Sequence, residues 1–328
     1  VNLDSEKYRK GIIWWYAKMS KNEYTVRTTH RMKLVIPMSG QGSRFQKAGY
    51  TDPKPLIRVE GRPIIAHVLD MFPGEDDVIF VCTEEHLATT DMRSILVSLK
   101  PKATIISVPA HKKGPVYAVS QAFPYIADDE DVMVSYCDFT QRWDYESFKR
   151  NIGTLGVAGA IPSYTGFHPH LLRKNLYAGV IADEHGMLLD IKEKHCFTEK
   201  PEDSYHSSGA YYFSSGALVK KYFTELMEAD INLNGEYYVS MVYYLLKRDG
   251  LPIYVPTVDH FMQWGTPEDL EEYEAWSRQV HTDLSKEKSA TDIPSHREEL
   301  VTIPTYEDEL AVAKAYDYWL TSLKQAPQ

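Results

Sequence analysis

Three short apolar runs, Val78–Cys82, Thr104–Val108 and Val132–Tyr136, constrain this chain most. Each is too continuous for a half-exposed strand and too short for a buried helix, so each reads as a strand covered on both faces. Around them lie Ile64–Phe72, Glu84–Leu99 and Val116–Ala122, whose apolar residues recur at helical spacing. Strand, helix and strand in that order require a parallel sheet with helices crossing over its faces. An earlier apolar run, Lys33–Met38, predicts the first strand. After Gly156 the rhythm changes. Tyr177–Ala182, Leu188–Glu193 and Gly209–Phe213 read as strands separated by turn residues, and helices return at Ser214–Met227, Glu236–Arg248 and Pro267–Val280. The expected fold class is α/β, with one Rossmann-like mixed sheet flanked by helices and its second half partly antiparallel.

The most informative segment is KLVIPMSGQGSRFQKAGYTDPKPL, Lys33 to Leu56. The first strand runs into Gly40, Gln41, Gly42, Ser43 and Arg44, where backbone amides can converge on a phosphate without a side chain in the way. The third glycine of a dinucleotide fingerprint is missing, since Phe45 stands there, and the loop lacks the Gly-Lys-Ser/Thr ending of a P-loop. Arg44 follows directly, and Lys54 sits between Pro53 and Pro55. A forked guanidinium and a point-charge ammonium on a stiffened backbone suit a triphosphate and charge that develops on it.

Gly40-x-Gly42-Ser43-Arg44-Phe45 followed by Pro53-Lys54-Pro55-Leu56 resembles the nucleotide-binding signature of the sugar-phosphate nucleotidylyltransferases, a nucleoside-triphosphate transferase family of glycosyltransferase-A-like fold. The resemblance spans about Met32 to Val280. It implies a nucleotide-diphospho-sugar transferase type of sheet and a division into an extension (1–31), a nucleotidyltransferase domain (32–281) and a linker with a C-terminal helix (282–328). It implies that Asp138, closing the strand at Tyr136-Cys137-Asp138, holds Mg²⁺, and that Gly114, after the basic run His111-Lys112-Lys113, lies near the nucleobase. Glu193 and Lys194, ending the strand Gly186–Lys194, match the family's Glu-Lys-Pro segment at the acceptor, with His195 in place of proline. The copy Glu199-Lys200-Pro201 matches the letters better but falls in the following loop. Gly209, in the run Ser207–Phe213, and Glu236, expected at a helix start, resemble the acceptor-pocket segments. A polar loop bearing His168 and His170 is expected to roof that pocket, with His168 on the acceptor phosphate.

The implied chemistry joins a nucleoside triphosphate to a phosphorylated small molecule, foremost a sugar 1-phosphate, with release of pyrophosphate for polysaccharide or surface-glycan precursors. The Gly40–Ser43 amides would hold the triphosphate, Arg44 its outer phosphates and Lys54 the transferring phosphorus. One position departs from the family. Gln263 stands two residues before Gly265-Thr266-Pro267, where a second metal-binding aspartate is usual, and an amide is a poorer ligand for a hard cation. Two rival readings follow. One is a nucleotide-sugar-dependent glycosyltransferase, although Asp138-Phe139-Thr140 lacks that class's Asp-x-Asp; the other is a catalytically silent regulatory subunit.

Composition narrows the partners. The 328 residues carry 36 Lys and Arg against 46 Asp and Glu, a net charge of −10, which disfavours nucleic-acid binding. Cys82, Cys137 and Cys196 are isolated, so neither a disulfide framework nor a zinc cluster is expected, and a reduced cytoplasmic setting follows. No run approaches the roughly 18 apolar residues of a membrane span. Tyr306–Leu323 regains helical periodicity with a broad apolar face, which predicts packing on its own domain or, in a homo-oligomer, on a second copy.

Overall fold

The computed structural model describes residues 32–166, 168–172 and 177–290, and side chains in that span except those of 169, 172 and 280–290. The sheet grows around β1 (Lys33–Met38), which runs into the glycine loop and α1 (Ser43–Lys47). A 3-10 turn at Lys54–Leu56 and a small hairpin, β2 (Arg58–Val59) and β3 (Arg62–Pro63), lead into α2 (Ile64–Asp70). Then come β4 (Val78–Thr83), α3 (Glu84–Thr89), α4 (Met92–Leu99), β5 (Thr104–Val108), α5 (Pro115–Ser120) and β6 (Val132–Ser135). The chain continues through β7 (Phe139–Arg142), α6 (Tyr145–Leu155), β8 (Gly159–Ala160), β9 (Ser163–Tyr164), β10 (Gly179–Ala182), β11 (Leu188–Lys192), β12 (Tyr205–Ser207) and β13 (Ala210–Phe213). It closes with α7 (Gly216–Glu228), α8 (Val239–Arg248), β14 (Ile253–Tyr254), β15 (His260–Gln263) and α9 (Pro267–Ala290).

Seven strands form the main sheet in the order β14-β8-β13-β6-β1-β4-β5. β1 pairs in parallel with β4 and β6, while β13 runs antiparallel to both its neighbours, β6 and β8. The mixed sheet expected from the change of rhythm after Gly156 is therefore present. Alternation along β1 divides the core: Leu34, Ile36 and Met38 enter one layer, with Ile65 and Phe72 of the α2 side. Val35 enters the other, with Val116, Val119 and Phe223 of α5 and α7. All these side chains are buried, each stabilising the fold by about 1.5–3 kcal/mol before entropy is counted. A second sheet, β11-β10-β12-β9, and the ribbon β7–β15 carry the remaining strands near the site.

Two helices differ from the sequence expectation by more than a turn. Glu84–Leu99 divides at Thr90, whose backbone is extended and whose hydroxyl donates to His86 O (2.6 Å) and accepts from Met92 N–H (3.3 Å), ending one helix and starting the next. The helix from Pro267 continues past 281 to Ala290, across the expected domain boundary, because no glycine or proline interrupts it before Pro294. The N-terminal extension and the helix expected at Tyr306–Leu323 lie outside the described residues.

Candidate active site

The ends of β1 and β6 and the crossing loop before α5 enclose a cleft of about 520 Å³, within the range of small-molecule sites. The glycine loop lines it from Gly40 to Arg44. Gly42 sits at φ +61°, the left-handed backbone that lets the chain turn from β1 into α1. Arg44, on the first turn of α1, is exposed toward solvent, while Phe45 beside it is buried and anchors the helix.

Lys54 enters from the Pro53–Pro55 turn. Its ammonium donates to Asp138 Oδ2 (2.6 Å) and to Gly265 O (3.0 Å), and it lies 5.5 Å from the Phe45 ring centroid. Its side chain is only 15% exposed against 30% for Asp138, so the pair is held in a defined place but open to a ligand. Asp138 follows β6 at the carboxyl end of the sheet, where ligands of open α/β sheets bind. The Trp264 amide donates to its backbone carbonyl (2.9 Å), tying it to the segment after β15. Arg44, Lys54, Asp138 and the loop glycines thus share one cleft.

Gly114 lines the opposite wall at φ +82°, and a Cβ there would stand 2.7 Å from Tyr237 N and 2.8 Å from Tyr237 O. Only glycine allows this close crossing of the two backbones. Nearby, His111 Nδ1 accepts from the Lys113 amide (3.3 Å), which leaves Nε2–H to donate to Ser39 Oγ (2.9 Å). Burial and Lys113 lower the pKa of His111 and keep this ring neutral.

The expected acceptor residues converge less completely. Glu236 lines the cleft with Tyr238. It precedes α8 instead of starting it, because Asn234 and Gly235, both at positive φ, close a tight turn from Leu233 to Glu236. Lys194 reaches this corner, donating to Tyr238 Oη (2.6 Å). Glu193 turns toward α8: its carboxylate accepts from Ser240 Oγ and its amide donates to Tyr244 Oη (2.8 Å). Burial pushes the Glu193 carboxyl up to about 7, against the opposing pull of Ser240 and Lys194. Gly209 stands behind the site, its carbonyl accepting from the Tyr136 amide (3.0 Å).

His168 is not among the residues that line the cleft. It is 4% exposed and packs on Tyr164 (ring centroids 4.6 Å apart) beside His170, and burial lowers its pKa to about 3. A neutral, enclosed imidazole gives no charge to an acceptor phosphate, so the expected roofing loop is instead part of an aromatic core. Glu199 and Lys200 precede the 3-10 turn Pro201–Asp203, away from the strand end that bears Glu193 and Lys194.

Sequence reasoning missed Ser39, His111, Tyr177 and Tyr238. Tyr177 Oη and Asp138 Oδ2 lie 3.9 and 3.7 Å from the point where a Cβ on Gly265 would stand, so this glycine keeps open the space between them. No spacing signal marks these tyrosines among the 23 in the chain.

The residues offer a partial set of metal donors. Among the described residues, Asp138 is the carboxylate that pairs with Lys54, which engages Oδ2. The Gln263 amide is buried with no hydrogen-bond partner among the described residues. Asp259 adjoins the opposite end of the β7–β15 ribbon, against Arg142, and does not replace the missing acid. No group of three or more His, Cys, Asp or Glu among the described residues suits a metal ion. Mg²⁺ commonly binds through one or two carboxylates, several waters and substrate phosphates. Asp138 fits an ion shared with a triphosphate, not an all-protein cage.

Among solved structures, the fold is similar to a nucleoside-diphosphate-sugar pyrophosphorylase from Vibrio cholerae RC9 (TM-score 0.61, 18% identity, 74% of this chain and 99% of that one). It is also similar to a putative glucose-1-phosphate thymidylyltransferase from Bacillus anthracis (TM-score 0.59, 20% identity, 75% and 95%). A third likeness is to the inositol-1-phosphate CTP transferase from T. maritima (TM-score 0.57, 15% identity, 73% and 92%). Among the described residues no helix is long and apolar enough to cross a membrane. The model of the MobA-like NTP transferase domain matches residues 34–194, a span that contains the glycine loop, Lys54 and Asp138. Residues 34–194 therefore carry a MobA-like NTP transferase domain, on a fold shared with nucleotidyltransferases.

Proposed function

We propose that the protein transfers a nucleotidyl group from a nucleoside triphosphate to a phosphorylated small molecule, foremost a sugar 1-phosphate, and releases pyrophosphate. The observation that carries this reading is the single cleft in which the glycine loop, Arg44, Lys54 and Asp138 meet Glu236 and Tyr238, the partner of Lys194. An acceptor phosphate oxygen is already an anionic nucleophile, so no strong base is required. Positioning and charge neutralisation supply the catalysis.

In this reading the loop amides hold the triphosphate, with Arg44 on its outer phosphates. Lys54 leaves Asp138 for the α-phosphate as negative charge grows there. Lys194 holds the acceptor phosphate for in-line attack, and pyrophosphate departs on the side of the glycine loop. Asp138 would hold Mg²⁺, which neutralises phosphate charge when bound. The product class is a nucleotide sugar of the kind consumed in polysaccharide or surface-glycan synthesis.

The test is pyrophosphate release from a panel of the common nucleoside triphosphates paired with sugar 1-phosphates and, as a second acceptor class, phosphocholine. Release with one pair is the expected result. Clear binding of nucleotide sugars with no release from any pair would replace this reading with a silent regulatory subunit, which the isolated amide of Gln263 favours.

A further inference from the structure

Tyr238 lines the cleft immediately before α8 and has no counterpart among the expected site residues. Its phenol accepts from Lys194 Nζ (2.6 Å) and donates to Glu236 Oε2 (2.6 Å), while the same ammonium lies 4.3 Å from its ring centroid. Ammonium, phenol and carboxylate thus form a continuous chain of charge-assisted hydrogen bonds, with the cation also on the ring's negative face. A second observation points to the same place. Lys194 sits at φ +51°, a left-handed backbone that a lysine adopts at a cost. Such strain persists only where surrounding contacts fix it, and clusters at ligand sites. Tyr238 is also near enough to Arg44 for that guanidinium to act on its phenol, although burial and Glu236 together keep the hydroxyl protonated.

We infer that Tyr238 is the positioning residue of the acceptor site, holding Lys194 out toward the phosphate of the incoming acceptor. This rests on the nucleotidyl-transfer reading above. A free lysine side chain has four rotatable carbons and a mobile charge. One bond to Tyr238 and one ring face fix its direction and leave two of its three hydrogens for a phosphate. Glu236, one phenol away, balances the cation before the acceptor arrives.

The test is Tyr238→Phe in the full-length protein, which keeps the ring and removes the hydroxyl. Acceptor KM is expected to rise about tenfold, as for loss of a bond to a charged group, with much less change in kcat or in triphosphate KM. Glu236→Gln, which keeps the shape of the relay, should give a smaller rise of the same kind. An arm independent of turnover uses reductive ¹³C-methylation, with the Lys194 resonance assigned through Lys194→Arg. That resonance should be displaced upfield by the Tyr238 ring in the wild type and lose the displacement in Tyr238→Phe, although the ring remains. Unchanged acceptor KM together with an unmoved Lys194 resonance would overturn the inference. Absence of pyrophosphate release by the wild type with every pair overturns the transfer reading instead, and the resonance still decides whether Tyr238 holds Lys194.

Discussion

At the scale of single residues, the site rests on charges placed next to their own opposites. Lys54 is bound to Asp138 at 2.6 Å before any substrate arrives, so a phosphate or an ion must divide an existing pair. Lys54→Ala removes the proposed charge stabiliser and is expected to lower kcat by about 100- to 1,000-fold with a modest change in triphosphate KM, read in a steady-state pyrophosphate assay. Near-normal turnover would remove Lys54 from its role. Glu193 gives a prediction of a different kind. Its carboxyl is pushed up to about 7 by burial, above the ordinary carboxylate range. The folded protein therefore binds this proton more tightly than the unfolded chain. The stabilisation is complete below the unfolded value and fades as pH rises through about 7. Glu193→Gln, which stays neutral, should flatten the decline in Tm between pH 5 and 8, measured by a thermal melt at each pH. Arg44, Lys54 and Asp138 were legible in the sequence because glycine and proline fix the backbone around two of them and a strand end fixes the third. Tyr238 was not, since tyrosines recur throughout the second half and only the fold selects which of them line the cleft. His168 was misread because a histidine pair beside a proline looks like a polar loop until its aromatic neighbours are known.

Elements succeed or fail on their punctuation. The loop that carries Gly114 crosses the chain just ahead of α8 so closely that its neighbour is Tyr237 backbone, not a yielding side chain. Gly114→Ala meets both that contact and a positive φ, and should destabilise the fold by about 1–3 kcal/mol. It should also weaken triphosphate binding, because α5 and the cleft wall move together. Urea midpoints and nucleotide titration check the two parts separately. A variant with unaltered stability would show that the two backbones can part without cost. The strands of the first half were legible from continuous apolar runs, and the reversal of β13 from the change of rhythm after Gly156. The break at Thr90 was hidden because its apolar neighbours keep helical spacing across it, and a side chain bonding to backbone decides the matter. The reach of α9 to Ala290 was hidden for the opposite reason: polar composition suggests a linker, but no glycine or proline stands between 268 and 290 to stop a helix.

Across the whole molecule, net charge and site charge are separate matters. The chain is acidic, at −10, yet Arg44, Lys54 and Lys112 all line one cleft. A small phosphate ligand reads the local potential, whereas a long polyanion would meet the whole surface. The fold is pinned where its first described residue joins the core: Glu75, 3% exposed, accepts from the Met32 amide (3.0 Å) and Tyr145 Oη (3.0 Å) and lies 3.5 Å from Lys149. Glu75→Ala takes the carboxylate from the buried Met32 amide and Tyr145 hydroxyl, while Lys149 keeps Glu146 (2.9 Å), and should cost about 1–3 kcal/mol of stability, measured by denaturant unfolding, with substrate KM values unchanged. Unaltered stability would show that water replaces the carboxylate. A last consequence follows from β8 and β13. They lie side by side, Ala160 against Tyr212 and Gly159 against Phe213, and everything between them leaves the main sheet, builds β9 to β12, and returns to the same spot. Its ends are adjacent, but Val180, Leu188 and Ile191 share a core layer with Val35 of β1, so only its exposed turns can be lengthened or shortened without disturbing the strand that bears the glycine loop. The segment proposed to meet the acceptor is thus anchored by two neighbouring strands and wedged into the core between them, so its surface turns are the places to vary when re-aiming specificity.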